Sequence, residues 1–119
     1  MSQTILCIED NPDNALILES VLERAGYKTY VARDGDVAIR FANQHQLDLI
    51  LCDFHLPGEN APEVIRRIRQ YDHLYHVPVV ILTADMYNGP ESHAIGIAAY
   101  INKPIKPEYL IRTIKRILL

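Results

Sequence analysis

Three carboxylates, one hydroxyl and one ammonium stand at the ends of short apolar runs in this sequence. Thr4-Ile5-Leu6-Cys7-Ile8 leads into Glu9 and Asp10, and Leu47 to Cys52 leads into Asp53. A β-branched run from Val77 closes on Thr83, and Lys103 lies just past Ala98 to Ile101. Carboxylates gathered in one place repel, and each is driven toward its protonated form unless positive charge joins them. A hard divalent cation resolves that conflict. Mg2+ takes oxygen ligands octahedrally, keeps several waters and accepts phosphate oxygens; Mn2+ can stand in its place. An aspartate beside such an ion is already ionised at neutral pH and can attack phosphorus without a general base. Phosphoryl transfer then needs positioning and neutralisation of three equatorial oxygens. Mg2+ can hold one, Lys103 another, and the Thr83 hydroxyl with the Ala84 backbone N–H a third. The sequence has no phosphate-cradling P-loop, which argues against ATP as the direct donor.

These groups need a frame that brings them to one edge. Thr4–Ile8 reads as a strand buried on both faces. A helix follows from near Asn14 to Ala25, ended by Gly26. Tyr27–Ala32 is a second strand, and Asp34 caps a helix over Gly35–Gln44. Leu47–Cys52 is a third strand ending at Asp53. Asn60 caps a helix with Pro62 in its first turn, running to about Tyr71. Val77–Thr83 is a fourth strand, Asn88-Gly89-Pro90 opens a short helix to Ile95, Ala98–Ile101 is a fifth strand, and Pro107 starts a last helix to Leu118. Five strand–helix units make an α/β fold, (βα)5, with a parallel sheet covered by helices on both faces. Ligands in such folds bind outside the carboxyl ends of the strands, at the switch point of the winding. Glu9, Asp10, Asp53, Thr83 and Lys103 all fall on that edge.

The bulk numbers suit one domain spanning 1–119, since 119 residues leave no room for two. A net charge of -3 argues against direct nucleic-acid binding. No apolar run is long enough to cross a membrane. Met1-Ser2-Gln3-Thr4 has no basic region or cleavage pattern, so a cytoplasmic protein is expected. Cys7 and Cys52 lie in apolar segments and read as buried thiols in a reducing compartment, with a disulfide or redox switch as the alternative.

Along its whole length the chain resembles the receiver domains of two-component response regulators. The matching pieces are the acidic pair in ILCIEDN, the acceptor in LILCDFHLPG, the hydroxyl and small residue in VVILTA, and YINKPI. Thr83 follows Asp53 by 30 residues, as is usual in the family. The resemblance implies a doubly wound flavodoxin-like fold with strand order 2-1-3-4-5. It implies that Asp53 is the phosphoacceptor, charged from a histidine kinase or a histidine phosphotransfer protein. It also implies Asp10, Asp53 and the His55 backbone carbonyl as metal ligands, with Glu9 acting through water. Thr83 and Tyr100 would move together as the switch, although Tyr100 also reads as a core residue. Lys103-Pro104 resembles the family's cis X-Pro bond. With no output domain expected after Leu119, the signal would pass to a downstream protein target by contact or by onward phosphotransfer. A phosphorelay shuttle and a non-phosphorylated interaction module are the alternatives.

The chain departs from the family in places. Asn60-Ala61 stands where Asp-Gly is usual, and an alanine holds the backbone there only at negative φ. The Thr83–Lys103 spacing is about two residues shorter than is common, which implies a truncated fourth helix on the family's output side. His55 and Asp85 occupy positions that tune phosphoryl lifetime in the family. The other histidines, His45, His73, His76 and His93, lack ligand spacing on one element, and His73 and His76, in a loop-like stretch, read as surface residues. The first helix has more apolar residues than one buried face needs. Ile17, Val21 and Ala25 suit the core, leaving a partner surface drawn from Ala15, Leu16, Leu18 and Leu22, where the family docks its phosphodonor bundle.

Overall fold

Leucine and β-branched runs form the centre of the molecule because both faces of their strands are covered. The computed structural model describes residues 2–84 and 96–119. Thr4–Ile8 (β1), Leu49–Asp53 (β3) and Val79–Thr83 (β6) are central strands, flanked by Lys28–Ala32 (β2) and Ile97–Asn102 (β7). All neighbours are parallel, in the order β2-β1-β3-β6-β7. Counted over the sheet strands alone, this is the expected 2-1-3-4-5 winding of a flavodoxin-like fold. The direction of winding reverses between β1 and β3, and the ligand crevice of such folds opens at that point. His55–Leu56 (β4) and Glu59–Asn60 (β5) form a separate antiparallel hairpin just after Asp53.

Alternate residues of each strand face opposite layers. Leu6, Ile8, Ile50, Cys52, Val79 and Ile81 pack with the helices Gly35–Gln44 (α2) and Ala61–Ile68 (α3). Ile5, Cys7, Leu49, Leu51, Val80 and Leu82 pack with Pro12–Arg24 (α1) and Pro107–Ile117 (α4). Cys7 and Cys52 thus lie on opposite faces of the sheet, both free and buried, so they cannot meet in a disulfide.

Each of the first three helices starts at an asparagine or aspartate side chain. Asn11 Oδ1 accepts from the Asn14 N–H at 3.0 Å, and Asp34 Oδ1 from the Val37 N–H at 2.9 Å. Asn60 and Glu63 form a reciprocal capping box. The Asn11 cap, with Pro12 in the first turn, starts α1 two residues earlier than the apolar pattern indicated. The third helix stops at Ile68 rather than near Tyr71, and Asp72–Leu74 forms a 3-10 turn. Ala61 lies inside α3, and no described non-glycine residue has positive φ; Gly58 takes that conformation in the hairpin. The short helix expected after Asn88-Gly89-Pro90, with Asp85 and His93, lies outside the described residues.

The packing of α1 corrects the sequence reading. Ala15, Leu18 and Leu22 are buried, so they are not a partner surface. Leu16 and Ile17 are 67% and 62% exposed, although Ile17 suited the core by periodicity. Residues 15, 18 and 22 form one stripe at helical spacing, and 17, 21 and 25 form another. Local pattern cannot choose between two apolar stripes. The sheet chooses, because Leu18 and Leu22 fill the layer over Ile5, Cys7, Leu49 and Leu51.

Candidate functional site

The carboxyl ends of β1, β3, β6 and β7 bring the singled-out side chains together. Glu9 follows β1, and its N–H donates to the Ala32 carbonyl at 2.9 Å. Its carboxylate is buried and accepts from the Asn11 N–H at 3.2 Å. Asp10, next in the chain, is exposed. Asp53 is the last residue of β3 and is buried. The following N–H, from Phe54, donates to the Leu82 carbonyl at 2.9 Å and ties the end of β3 to β6. Lys103 directly follows β7, with its N–H on the Thr83 carbonyl at 2.8 Å. The Lys103-Pro104 bond is cis, as the resemblance implied.

The lysine reaches into the carboxylate cluster. Lys103 Nζ lies 2.7 Å from Asp53 Oδ1 and 4.0 Å from Glu9 Oε1. The first contact is a charge-assisted hydrogen bond, at the short end for N–H donors. Glu9, Asp10 and Asp53 each offer an oxygen, all within 4.8 Å of one another. One ammonium therefore faces three carboxylates. Burial is the main cause that pushes the Glu9 carboxyl up from its ordinary range; Asp53 and Asp10 add to this, while the Asn11 N–H and Lys103 oppose it. The surplus of negative charge and the oxygen-only donor set fit a hard divalent cation. Thiols are not available to it, since burial holds both cysteines far above their ordinary range.

Thr83 ends β6 and is buried, and Ala84 after it is exposed. Tyr100 on β7 pairs in register with Ile81, so Thr83 and Tyr100 share the sheet face that meets α2 and α3. His55 lies on the hairpin with an exposed side chain. His73 and His76 are exposed beside the 3-10 turn.

Two features were not singled out in the sequence. A cleft of about 250 Å3 opens beside Glu9 and Lys103, between α1 and α4, and is walled by Ile17, Val21, Ile105 and Pro107. On the other side of Asp53, Arg67 of α3 bridges Glu59 of the hairpin and Asp36 of α2. Neither has a local signal, since each joins residues from separate elements.

Comparison with known proteins agrees with this geometry. Residues 5–115 match the family model of the response regulator receiver domain. The polar-differentiation response regulator DivK of Brucella anthropi is 37% identical over 117 residues, covering 97% of this chain and 95% of that protein. The chemotaxis response regulator CheY4 of Vibrio cholerae superposes with a TM-score of 0.92 at 26% identity, covering 99% of this chain and 100% of that one. The receiver domain of a sensor histidine kinase of Pseudomonas aeruginosa, with magnesium coordinated in its active-site cleft, has a TM-score of 0.89 at 33% identity, with 99% and 98% covered. Among the described residues no helix is long and apolar enough to cross a membrane. The chain belongs to the response regulator receiver domain family of two-component signalling.

Proposed function

We propose that Asp53 accepts a phosphoryl group from a phosphohistidine donor and that the chain, acting as one receiver unit, then changes its partner surface. The observation that carries this is the 2.7 Å contact of Lys103 Nζ with Asp53 Oδ1 inside a three-carboxylate cluster. A strand-end aspartate alone would serve as a cap; one with a lysine and two further carboxylates suits phosphoryl transfer.

Asp10, Asp53, the His55 carbonyl and, through water, Glu9 would hold Mg2+ or Mn2+. Bound there, such an ion would supply positive charge to the phosphoryl oxygens, and the magnesium of the Pseudomonas receiver domain supports that choice. An Asp53 carboxylate oxygen forms the new O–P bond as the donor N–P bond breaks. The donor imidazole leaves with that electron pair and takes up a proton. Lys103, the Thr83 hydroxyl and the Ala84 N–H donate to the phosphoryl oxygens. Thr83 then couples to Tyr100, its neighbour on the same sheet face, as the switch. The protein works in the cytoplasm, where its two buried thiols stay reduced.

The donor is a histidine kinase or a histidine phosphotransfer protein, and a downstream protein reads the switched surface. The apolar rim that meets the donor is Leu16 and Ile17 of α1, beside the cleft at Lys103. Helices of a donor bundle suit such a groove. Leu16→Glu with Ile17→Glu is expected to slow transfer from a histidine donor about tenfold or more, the scale of a lost hot spot. Labelling by acetyl phosphate stays unchanged in that variant. Leu22→Ala should instead destabilise the fold by about 2–5 kcal/mol.

Incubation with acetyl phosphate and Mg2+, read by intact mass, tests the central reading. The wild-type chain gains one phosphoryl group and Asp53→Asn gains none. Equal gain in both, or no gain in the wild type, would overturn it. Transfer from the labelled chain to a second histidine bundle would identify a shuttle.

A further inference from the structure

The hairpin after Asp53 is held in place by more than its own pairing. β4 and β5 share only two register pairs, His55 with Asn60 and Leu56 with Glu59. A ribbon that short is marginal by itself. Three fixings hold it from outside. The Ala61 N–H donates to the Phe54 carbonyl at 2.8 Å, and Leu56 is buried against the α2–α3 layer. Opposite Leu56, the Glu59 carboxylate receives Arg67 Nη1 at 2.5 Å. Arg67 Nη2 bonds Asp36 Oδ1 at the same time. One guanidinium therefore joins the acceptor hairpin, the last turn of α3 and the first turn of α2. The planar fork of arginine suits two carboxylates at once.

Gly35 shows that room is kept for this clamp. A Cβ built there would lie 2.3 Å from Glu59 Oε1, 3.1 Å from Val64 Cγ2 and 3.2 Å from Arg67 Nη1. Gly35 opens α2 with an ordinary helical backbone, since its φ is not positive. Its lack of a side chain answers to the Glu59–Arg67 pair rather than to a turn. The nearest atom an alanine would displace is the far end of a flexible side chain, but the buried Val64 methyl would also have to give by a few tenths of an ångström. Glu59 is mostly buried in this contact, while Asp36 is largely exposed.

We propose that the Glu59–Arg67 pair is a positioning device: it fixes the tilt of the hairpin, and through it the His55 backbone carbonyl, for the divalent cation of the acceptor site. This rests on the reading of Glu9, Asp10 and Asp53 as that cation's site. Arg67 and Glu59 touch neither the cation nor the phosphoryl group. They act through the backbone between Asp53 and Asn60, as outer-shell groups orient ligands.

Calorimetric titration of the metal-free chain with Mg2+ alone, paired with urea unfolding, tests it. Glu59→Ala is expected to weaken Mg2+ binding about tenfold, the lower end of what lost outer-shell support costs. Glu59→Gln keeps an oxygen for Arg67 Nη1 and should restore affinity to within about twofold, because geometry and not charge is at stake. Gly35→Ala, which displaces the carboxylate, should weaken binding as Glu59→Ala does; its Cβ also meets the Val64 methyl, so urea unfolding measures the stability lost there separately from the loss of affinity. Wild-type affinity in Glu59→Ala and Gly35→Ala would overturn the proposal, as would equal loss in Glu59→Gln and Glu59→Ala. No Mg2+ binding by the wild type, or unchanged binding in Asp10→Asn, would overturn the cation site itself and is seen separately.

Discussion

Two clusters flank the acceptor strand, and both set carboxylates against a cation. In one, Glu9, Asp10 and Asp53 face the Lys103 ammonium. In the other, Asp36 and Glu59 face the Arg67 guanidinium. The first is mostly buried and has two negative charges more than Lys103 can match. The second lies partly in water, which screens its smaller surplus, and its arginine is satisfied by a fork of two bonds. The difference separates chemistry from support. An unbalanced, desolvated cluster favours a further positive charge, and in the reading proposed above a divalent cation would supply it. A cluster satisfied by its own arginine has no such demand and can only hold backbone in place.

The largest expected effect falls on the unbalanced side. Asp53→Asn should abolish labelling by acetyl phosphate altogether, since an amide is no nucleophile toward phosphorus. Lys103→Gln comes next: labelling should slow about 100-fold, the loss typical of removing one donor to a developing charge. Rates near wild type in that variant would mean that the ammonium only balances charge at rest.

Glu9 offers a finer test, through pH. Burial raises its pKa, so the folded chain binds that proton more tightly than the unfolded chain. The stability this contributes is fully present below the ordinary glutamate range and is lost as pH rises through the raised value. In metal-free buffer at neutral pH, Glu9→Gln should therefore raise the urea midpoint and flatten its dependence on pH. Saturating Mg2+ should reverse the order, because the ion stabilises the chain that binds it more tightly. A glutamine variant less stable than wild type without metal would break the contrast between the clusters.

The smallest effect belongs to the cluster that its own arginine satisfies. Asp36→Asn removes the exposed arm of the Arg67 fork and should cost no more than about 1 kcal/mol in urea unfolding, as exposed pairs do. Acetyl phosphate labelling should stay as in the wild type. A loss on the scale of Lys103→Gln would show that the second cluster takes part in the chemistry.

The acceptor cluster was legible because each of its members sits at the end of an apolar run or just past it. Once the runs are strands of one parallel sheet, their ends must share an edge, so Glu9, Asp10, Asp53, Thr83 and Lys103 converge. The caps at Asp34 and Asn60 were equally legible, since a capping side chain bonds within three residues of itself. The outward face of α1 was not. Ala15, Leu18 and Leu22 form one apolar stripe, Ile17, Val21 and Ala25 another, and nothing local ranks them.

The sequence by itself determined the strand–helix order, the edge where the carboxylates, the hydroxyl and the ammonium gather, and the residue types found there. Those follow from local rules: period, caps, and charges placed where apolar runs stop. Only the tertiary structure decided which stripe of α1 faces the core, and that Leu16 and Ile17 face outward. It alone placed Lys103 Nζ at 2.7 Å from Asp53. It alone joined Asp36, Glu59 and Arg67 across 31 residues of chain. Burial and long-range ion pairs depend on how whole layers stack, and no short window of sequence contains that information.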